Sequence, residues 1–389
     1  MEKKRKSILF VVFGLGIGGI EKCLVNLVNA LPKEQFDIDV LLMNAQYDMK
    51  PQVKEHVHFL DEFTYVVLDI RTILKEMRSR GGDIRHVGKL FRYGIYRVAD
   101  KLDITPWRIH RRLPKHYDIA VAYSQNGEAP YYVMDRVEAD RKVLWYHNSL
   151  YEKTGKERDR DQSYYPRFDY VVPVSRDCEK ELKKKLPFPE GKLVVLKNLC
   201  NSGEILEKSG LFTLSWGEGT HIVTVGRLTE DKGPEFALEA LRILRKKGWN
   251  VIWHWVGDGD YADSFREHVA QAGLEDAFIL EGNQKNPYPF ILRGDIYVQP
   301  SPDEAYSTTV TEAKVLCRPI VVTDVGGMRD QLTDGETAVI VPVSGEAIAR
   351  GIEKLLEDPE LGWAFSRNLE GEDYSPEESL KEYIKTVFR

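Results

Sequence analysis

The sequence predicts an α/β protein of two units, each a parallel sheet covered by helices on both faces. Three observations predict it. From residue 221 to 357, short apolar runs alternate strictly with helical stretches, the rhythm of strand, crossover helix and parallel strand. The apolar run 7–13 leads through a glycine-rich turn into another helical stretch, the way a doubly wound sheet begins. Between the two, residues 201–219 are rich in Gly, Ser and Glu and read as a linker. A chain of 389 residues has room for two cores.

Composition narrows the class. A hydrophobic fraction of 42% with 30% charged residues describes a globular chain rather than a disordered one. Cys23, Cys178, Cys200 and Cys317 lie far apart without metal-ligand spacing, and read as reduced core thiols of a cytosolic protein. Lys3 to Lys6 and the apolar run from Ile8 to Ile20 imitate a signal peptide, but Glu21 and Lys22 follow at once and no small-residue cleavage site is present. A first strand and its turn explain the stretch better. No other run approaches the roughly 18 apolar residues of a membrane helix.

Taken in order, the first strand, 7–13, is followed by Gly14-Leu-Gly16-Ile-Gly18-Gly19 and a helical stretch from Glu21 to Leu31. That is formally a dinucleotide-binding G-x-G-x-x-G. Against a nicotinamide reading, the second strand, 36–43, ends without the acid that would hold a ribose, and Asp39 stands near its start. Between Asp69 and His116 the chain carries thirteen Lys or Arg against five acids, with Phe91, Tyr93, Tyr96 and Trp107 interleaved, in a protein of net charge −6. This segment reads either as a solvated helix face with core aromatics, or as a surface for an anionic partner such as membrane lipid or a diphosphate-linked acceptor. The negative total and the lack of a binding motif argue against nucleic acid.

Further strands are expected at 118–123, 142–146, 170–174 and 192–200, with His147, Asn148 and Ser175 at strand ends, the ligand-facing position. In the second half, strands are expected at 221–226, 250–256, 278–281, 295–300, 319–323 and 338–342. Helices are expected near 234–247, 261–272, 286–293, 307–317, 328–332 and 345–357. Arg227 and Lys232 stand just beyond the first of these strands, ahead of Pro234 at a helix start. An Arg fork and a Lys point charge suit a diphosphate and stabilise it as a leaving group. Asp258-Gly-Asp260 resembles a metal-binding D-x-D but sits in a glycine turn, so no catalytic metal and no cofactor is expected. Ser375-Pro-Glu-Glu378 is a capping box that opens a last helix.

The stretch Ser301 to Ala313 organises the rest. It runs from a buried strand through a loop into a helix and sets Glu304 and Glu312 eight positions apart. The N–H groups of the first turn, around Ser307, Thr308 and Thr309, suit phosphate, and the carboxylates suit hydroxyls. Together these are the needs of a sugar nucleotide.

Glu304-x7-Glu312, followed by Ala313 and by Arg318-Pro319-Ile-Val-Val-Thr-Asp-Val-Gly-Gly327, resembles the signature of the retaining glycosyltransferases of family 4, which have the GT-B fold. Many members carry Gly where this chain has Ala305 or Ser307. The resemblance implies two Rossmann-like domains facing across a cleft: an acceptor-binding domain over 1–200, a linker over 201–219, a nucleotide-sugar domain over 220–365, and a helix over 366–389 crossing back to the first. It implies transfer of a sugar, with retention, from a nucleotide donor such as a UDP-hexose or UDP-N-acetylhexosamine to a glycan or lipid-linked hydroxyl in cell-surface polysaccharide or glycolipid synthesis. That setting is compatible with the cytoplasmic reading of the cysteines and with an anionic membrane surface as a further partner through residues 69–116.

By carry-over, Glu304, Arg227, Lys232 and His147 are the catalytic set, with His147 facing the donor sugar. Glu312 takes the ribose. Ser307, Thr308, Thr309, Gly257, Asn283, Gly16, Gly18 and Gly19 complete the donor site, the glycines of the first turn allowing acceptor and phosphate to approach the backbone. Three alternatives stay open: a sugar-nucleotide epimerase on the same fold, a nicotinamide oxidoreductase using Gly14 to Gly19, and a non-catalytic partner of another transferase.

Overall fold

The apolar runs of the N-terminal half become six parallel strands: β1 (Lys6–Val12), β2 (Phe36–Leu42), β3 (Val57–Phe59), β4 (Tyr117–Ala122), β5 (Ala139–Tyr146) and β6 (Tyr170–Pro173). They lie in the order β3-β2-β1-β4-β5-β6. The C-terminal half repeats the plan with β7 (Thr220–Val225), β8 (Val251–Val256), β9 (Phe278–Gly282), β10 (Ile296–Gln299), β11 (Ile320–Thr323) and β12 (Val339–Val341), ordered β12-β11-β10-β7-β8-β9. Counted from its own first strand, each sheet runs 3-2-1-4-5-6. In that order the crevice beyond the strand C-termini, where the winding reverses, is the ligand position. This computed structural model describes residues 5–44, 46–60 and 111–389, with Leu90, Phe91, Gly94, Val98 and Trp107.

Helices fill the crossovers. α1 (Gly19–Ala30) follows β1, and α2 (Ala129–Arg136), α3 (Gly155–Tyr164) and α4 (Arg176–Lys185) follow β4, β5 and β6. α5 (Ser202–Ser209) leads into the second half, where α6 (Pro234–Lys246), α7 (Ala262–Gln271), α8 (Tyr288–Arg293) and α9 (Thr308–Val315) follow β7 to β10. α10 (Gly345–Glu357), α11 (Pro359–Glu370) and α12 (Pro376–Thr386) come last. Because helices cover both faces, the strands are near-continuous apolar runs, as in Ile8 to Val12 and Trp253 to Val256, apart from the buried His254. None of the helices among the described residues is long and apolar enough to cross a membrane.

α12 returns to the first sheet. Tyr383, Val387 and Phe388 are buried in the N-terminal core, with the Phe388 ring 6.1 Å from Phe10, 6.2 Å from Phe36 and 6.1 Å from Trp145. Arg141 fastens the segment by donating to the carbonyls of Val387 (3.2 Å) and Arg389 (2.7 Å). Burying a side chain such as Phe388 contributes about 2 kcal/mol.

Several expectations change. Residues 192–200 are not a sheet strand: they hang on the edge of β6 through Val171 N–H to Lys192 O (2.8 Å) and Leu196 N–H to Pro173 O (3.2 Å). Pro173 has no N–H to return, so the ladder stops. The expected linker 201–219 contains α5, because Asn201 caps it by accepting from Glu204 N–H at 3.2 Å and Ile205 is buried in the second core. The expected boundary at 365/366 falls inside α11, and the crossing element begins at Pro376. In place of a helix at 328–332 there is one short turn, Gly326–Met328.

Most of the basic segment 69–116 lies outside the described residues. Of its aromatics, Trp107 is buried, with Nε1 donating to Asp135 at 2.9 Å, and Phe91 is exposed. Tyr93 and Tyr96 lie outside the described residues.

Candidate functional site

Between the two sheets, beyond the C-terminal ends of their strands, lies an open cleft. Its C-terminal wall is built from three turns. After β7 comes Arg227, exposed, then the turn that carries Lys232. Gly233 closes this turn with φ +74°, and a Cβ there would stand 2.2 Å from the Pro300 carbonyl oxygen. Only glycine permits that approach. It presses the turn against the end of β10 and brings Lys232 Nζ to 2.8 Å from Glu304 Oε1.

Glu304 also accepts from Ser301 Oγ at 3.0 Å. Its backbone carbonyl accepts from Gly327 N–H at 3.0 Å. Gly327 is as tightly placed as Gly233, for a Cβ on it would meet the Ala305 carbonyl oxygen at 1.9 Å. The loop bearing Glu304 is thus clamped from both sides by the protein itself.

α9 begins beside it. Ser307 caps the helix, accepting from Val310 N–H at 3.3 Å, while its own N–H is taken by Gln331 Oε1 at 3.0 Å. This corrects the expected role of the Ser307 amide, since a first-turn N–H already bonded cannot also serve a phosphate. Among the described residues, the amides of Thr308 and Thr309 are what the first turn still offers.

The N-terminal wall comes from the loops after β1 and β5. Gly18, Gly19 and Ile20 line it, and a Cβ on Gly19 would lie 3.5 Å from Thr308 Oγ1 across the cleft. His147 lines it too, buried, with its backbone N–H donating to Gln125 Oε1 (2.9 Å) and ring Nε2 at 3.1 Å from the Tyr123 carbonyl. A carbonyl only accepts, so Nε2 carries the proton and Nδ1 is the acceptor. Burial lowers the His147 pKa to about 4, against the opposing pull of the Tyr123 carbonyl, so the ring is neutral near pH 7. Ser149 Oγ donates to Asp303, joining the two walls.

Of the expected site residues, Arg227, Lys232, Glu304, His147, Ser307, Thr308, Thr309, Gly18 and Gly19 come together in this cleft. Glu312 does not line it. It lies in an adjoining narrow recess, where Lys22 of α1 reaches it from the other half. Gly16, Gly257 and Asn283 line neither space. Gly16 faces the side chains of Gln46 and Asp48, and Asn283 is exposed on the loop after β9. At Gly257, with φ +142°, a Cβ would stand 1.9 Å from the Gly226 carbonyl oxygen, so packing between neighbouring turns demands this glycine.

In the D-x-D, Asp258 Oδ1 accepts from Gly259 N–H at 2.9 Å, a turn cap. Among the described residues no three His, Cys, Asp or Glu side chains are grouped to hold a metal ion. The first glycine turn is also poor for a nicotinamide cofactor, because Asp39 is buried within β2 and committed to Lys115 (2.9 Å) and Tyr117 (2.7 Å). Sequence reasoning missed Lys22, Tyr288, Ser149 and Asp303. A signal for Lys22 existed: Lys22 and Asn26 form a polar i, i+4 pair on a helix whose buried positions are apolar, and both line the recess.

The family model "Glycosyltransferase Family 4" matches residues 17–202, and "Glycosyl transferases group 1" matches residues 214–370. Among curated proteins, the chain is 29% identical to alpha-D-kanosaminyltransferase of Streptomyces kanamyceticus over 51% of this chain and 54% of that one. It is 26% identical to the capsular polysaccharide biosynthesis glycosyltransferase CapM of Staphylococcus aureus, over 51% and 55%. The matches thus span about half the length of these relatives. Among solved structures, HepE of Anabaena, determined with UDP and glucose, superposes with a TM-score of 0.72 over 99% of this chain and 100% of that one, at 16% identity. The shared architecture is GT-B.

Proposed function

The chain belongs to glycosyltransferase family 4, and on that premise we propose that it transfers a sugar from a nucleotide-sugar donor to an acceptor hydroxyl, with retention at the anomeric carbon. One observation carries the reading. A carboxylate (Glu304), an ammonium (Lys232), a guanidinium (Arg227) and an open helix N-terminus (Thr308, Thr309) converge on one cleft between the two sheets.

In this reading the donor diphosphate lies against Thr308 and Thr309, with Arg227 and Lys232 neutralising the charge that develops as the bond from C1 to the phosphate oxygen breaks. Lys232 has three donors, so it can keep Glu304 while it meets a phosphate oxygen. Glu304, held by Ser301 and Lys232, accepts from sugar hydroxyls. His147, neutral, accepts a further sugar hydroxyl at Nδ1. The acceptor oxygen enters from the side of Gly18, Gly19 and the loop after β5. A UDP donor is favoured by the UDP-bound structural neighbour. A place in cell-surface polysaccharide or glycolipid synthesis is favoured by the capsular relative. The basic excess of 69–116 fits a cytoplasmic protein working against an anionic membrane or a diphosphate-linked acceptor.

A melting panel with UDP-, GDP- and ADP-sugars tests the reading on the wild type, Arg227→Ala and Glu304→Gln. Stabilisation of about 2.7 kcal/mol is expected from the right donor at a hundred times its Kd, lost in Arg227→Ala and reduced in Glu304→Gln. No shift with any donor would remove the proposal.

A further inference from the structure

The recess beside the cleft is where the two halves meet through charge. Lys22 leaves α1 of the N-terminal half and hydrogen-bonds Glu312 on α9, while its Nζ lies 2.6 Å from the Tyr288 hydroxyl and 4.7 Å from the centroid of that ring. Burial works against an ammonium here. The Glu312 carboxylate and the Tyr288 oxygen outweigh it and hold the Lys22 pKa above the ordinary lysine value.

Glu312 is 3% exposed, yet Lys22 reaches only Oε1, and Oε2 is buried with no hydrogen-bond partner among the described residues. A buried acceptor left without a donor costs about 1–3 kcal/mol. A pair built only for stability would satisfy both oxygens. Two adjacent hydroxyls on one ring would satisfy both, each donating to one oxygen.

The recess is also continuous with the phosphate position. Thr308 and Asn198 line both spaces. A nucleotide with its diphosphate at the first turn of α9 therefore has its ribose at the mouth of the recess, facing Glu312. The ammonium of Lys22 now fills that place.

We propose that Lys22 is a placeholder: it occupies the seat of the donor ribose at Glu312, and donor entry displaces it. This rests on the donor reading above and adds to it a price on binding, since only the fraction of molecules with Lys22 withdrawn is competent and the apparent Kd is the intrinsic one divided by that fraction. It also ties the two halves together, since Lys22 stands on α1, which carries Gly19 of the cleft wall.

The test compares wild type, Lys22→Met and Lys22→Gln by calorimetry, with UDP, GDP, ADP and inorganic diphosphate as probes. Lys22→Met keeps the apolar stem and removes the charge; Lys22→Gln serves should the first fail to fold. The nucleoside diphosphate that binds is expected to bind the variants at least about tenfold more tightly, while inorganic diphosphate, which has no ribose, binds all three alike. Equal or weaker nucleotide binding in the variants, or an equal gain for inorganic diphosphate, overturns the placeholder. If no nucleotide binds any of the three proteins, the donor reading falls first and the placeholder with it.

Discussion

The two halves share one strand order and meet the cleft with different material. On the C-terminal side, Glu304, Ser307 and Gln331 each hold two or more hydrogen bonds, and Gly233 and Gly327 let backbones touch where no side chain fits. On the N-terminal side, the loops after β1 and β5 show exposed apolar side chains, Phe13 (41%), Ile17 (67%) and Leu150 (49%), of which Leu150 lines the cleft. A wall wired in advance suits a ligand whose charge and geometry do not vary, because fixed dipoles need no reorganisation during reaction. Apart from the fixed His147, a wall with glycines and exposed apolar groups leaves more to the ligand it meets.

The most severe way to break this contrast is to fill one of the tight backbone contacts of the wired half. Gly257→Ala would set a methyl 1.9 Å from the Gly226 oxygen at φ +142°. A loss of about 3 kcal/mol in unfolding free energy is expected, measured in denaturant. Nucleotide affinity of the folded protein should be unchanged, because the glycine serves packing. Weaker nucleotide binding at intact stability would return Gly257 to the donor site.

The same contrast explains what could be read from the chain. The strands were legible because both faces of each sheet are covered and the strands are apolar throughout; β3, three residues with His58 at its centre, gave too little pattern. α3 escaped notice because its sequence, Gly-Lys-Glu-Arg-Asp-Arg-Asp-Gln-Ser-Tyr, shows no apolar stripe, although Asp161 and Tyr164 are buried through partners elsewhere. At the site, the cleft residues the motif supplied follow strand ends, so local reading placed them. The Lys22–Glu312 pair joins positions 290 apart in sequence. It depends on how the two halves close, which no local pattern encodes.

A smaller effect sharpens the N-terminal side. The His147 pKa is about 4 in the folded protein because burial disfavours the charged ring, against about 6.5 when unfolded. Between these values the unfolded chain binds more protons, so stability rises with pH across the window. The contribution is fully present above about pH 6.5 and is lost as pH falls toward 4. Wild type should therefore lose up to about 1.4 kcal/mol per pH unit more than His147→Gln between pH 6.5 and 4, with parallel curves above. Parallel curves throughout would mean that the ring is charged or solvated in the fold.

The smallest expected effect bears on the loosest part of the comparison. Ile17 and Leu150 contribute nothing that the fold needs at their level of exposure, so Ile17→Ser with Leu150→Ser should leave stability within about 0.5 kcal/mol. Nucleotide binding should also be unchanged, since the diphosphate contacts proposed above lie on the opposite wall. An acceptor that covers these side chains buries apolar surface at about 25 cal/mol per Å², and losing that burial at two positions should raise the acceptor KM about fivefold to tenfold with little change in kcat. An unchanged KM would mean that the apolar rim is not where the acceptor lies. The division between a wired donor wall and an adaptable acceptor wall would then rest on the glycines of the first turn alone.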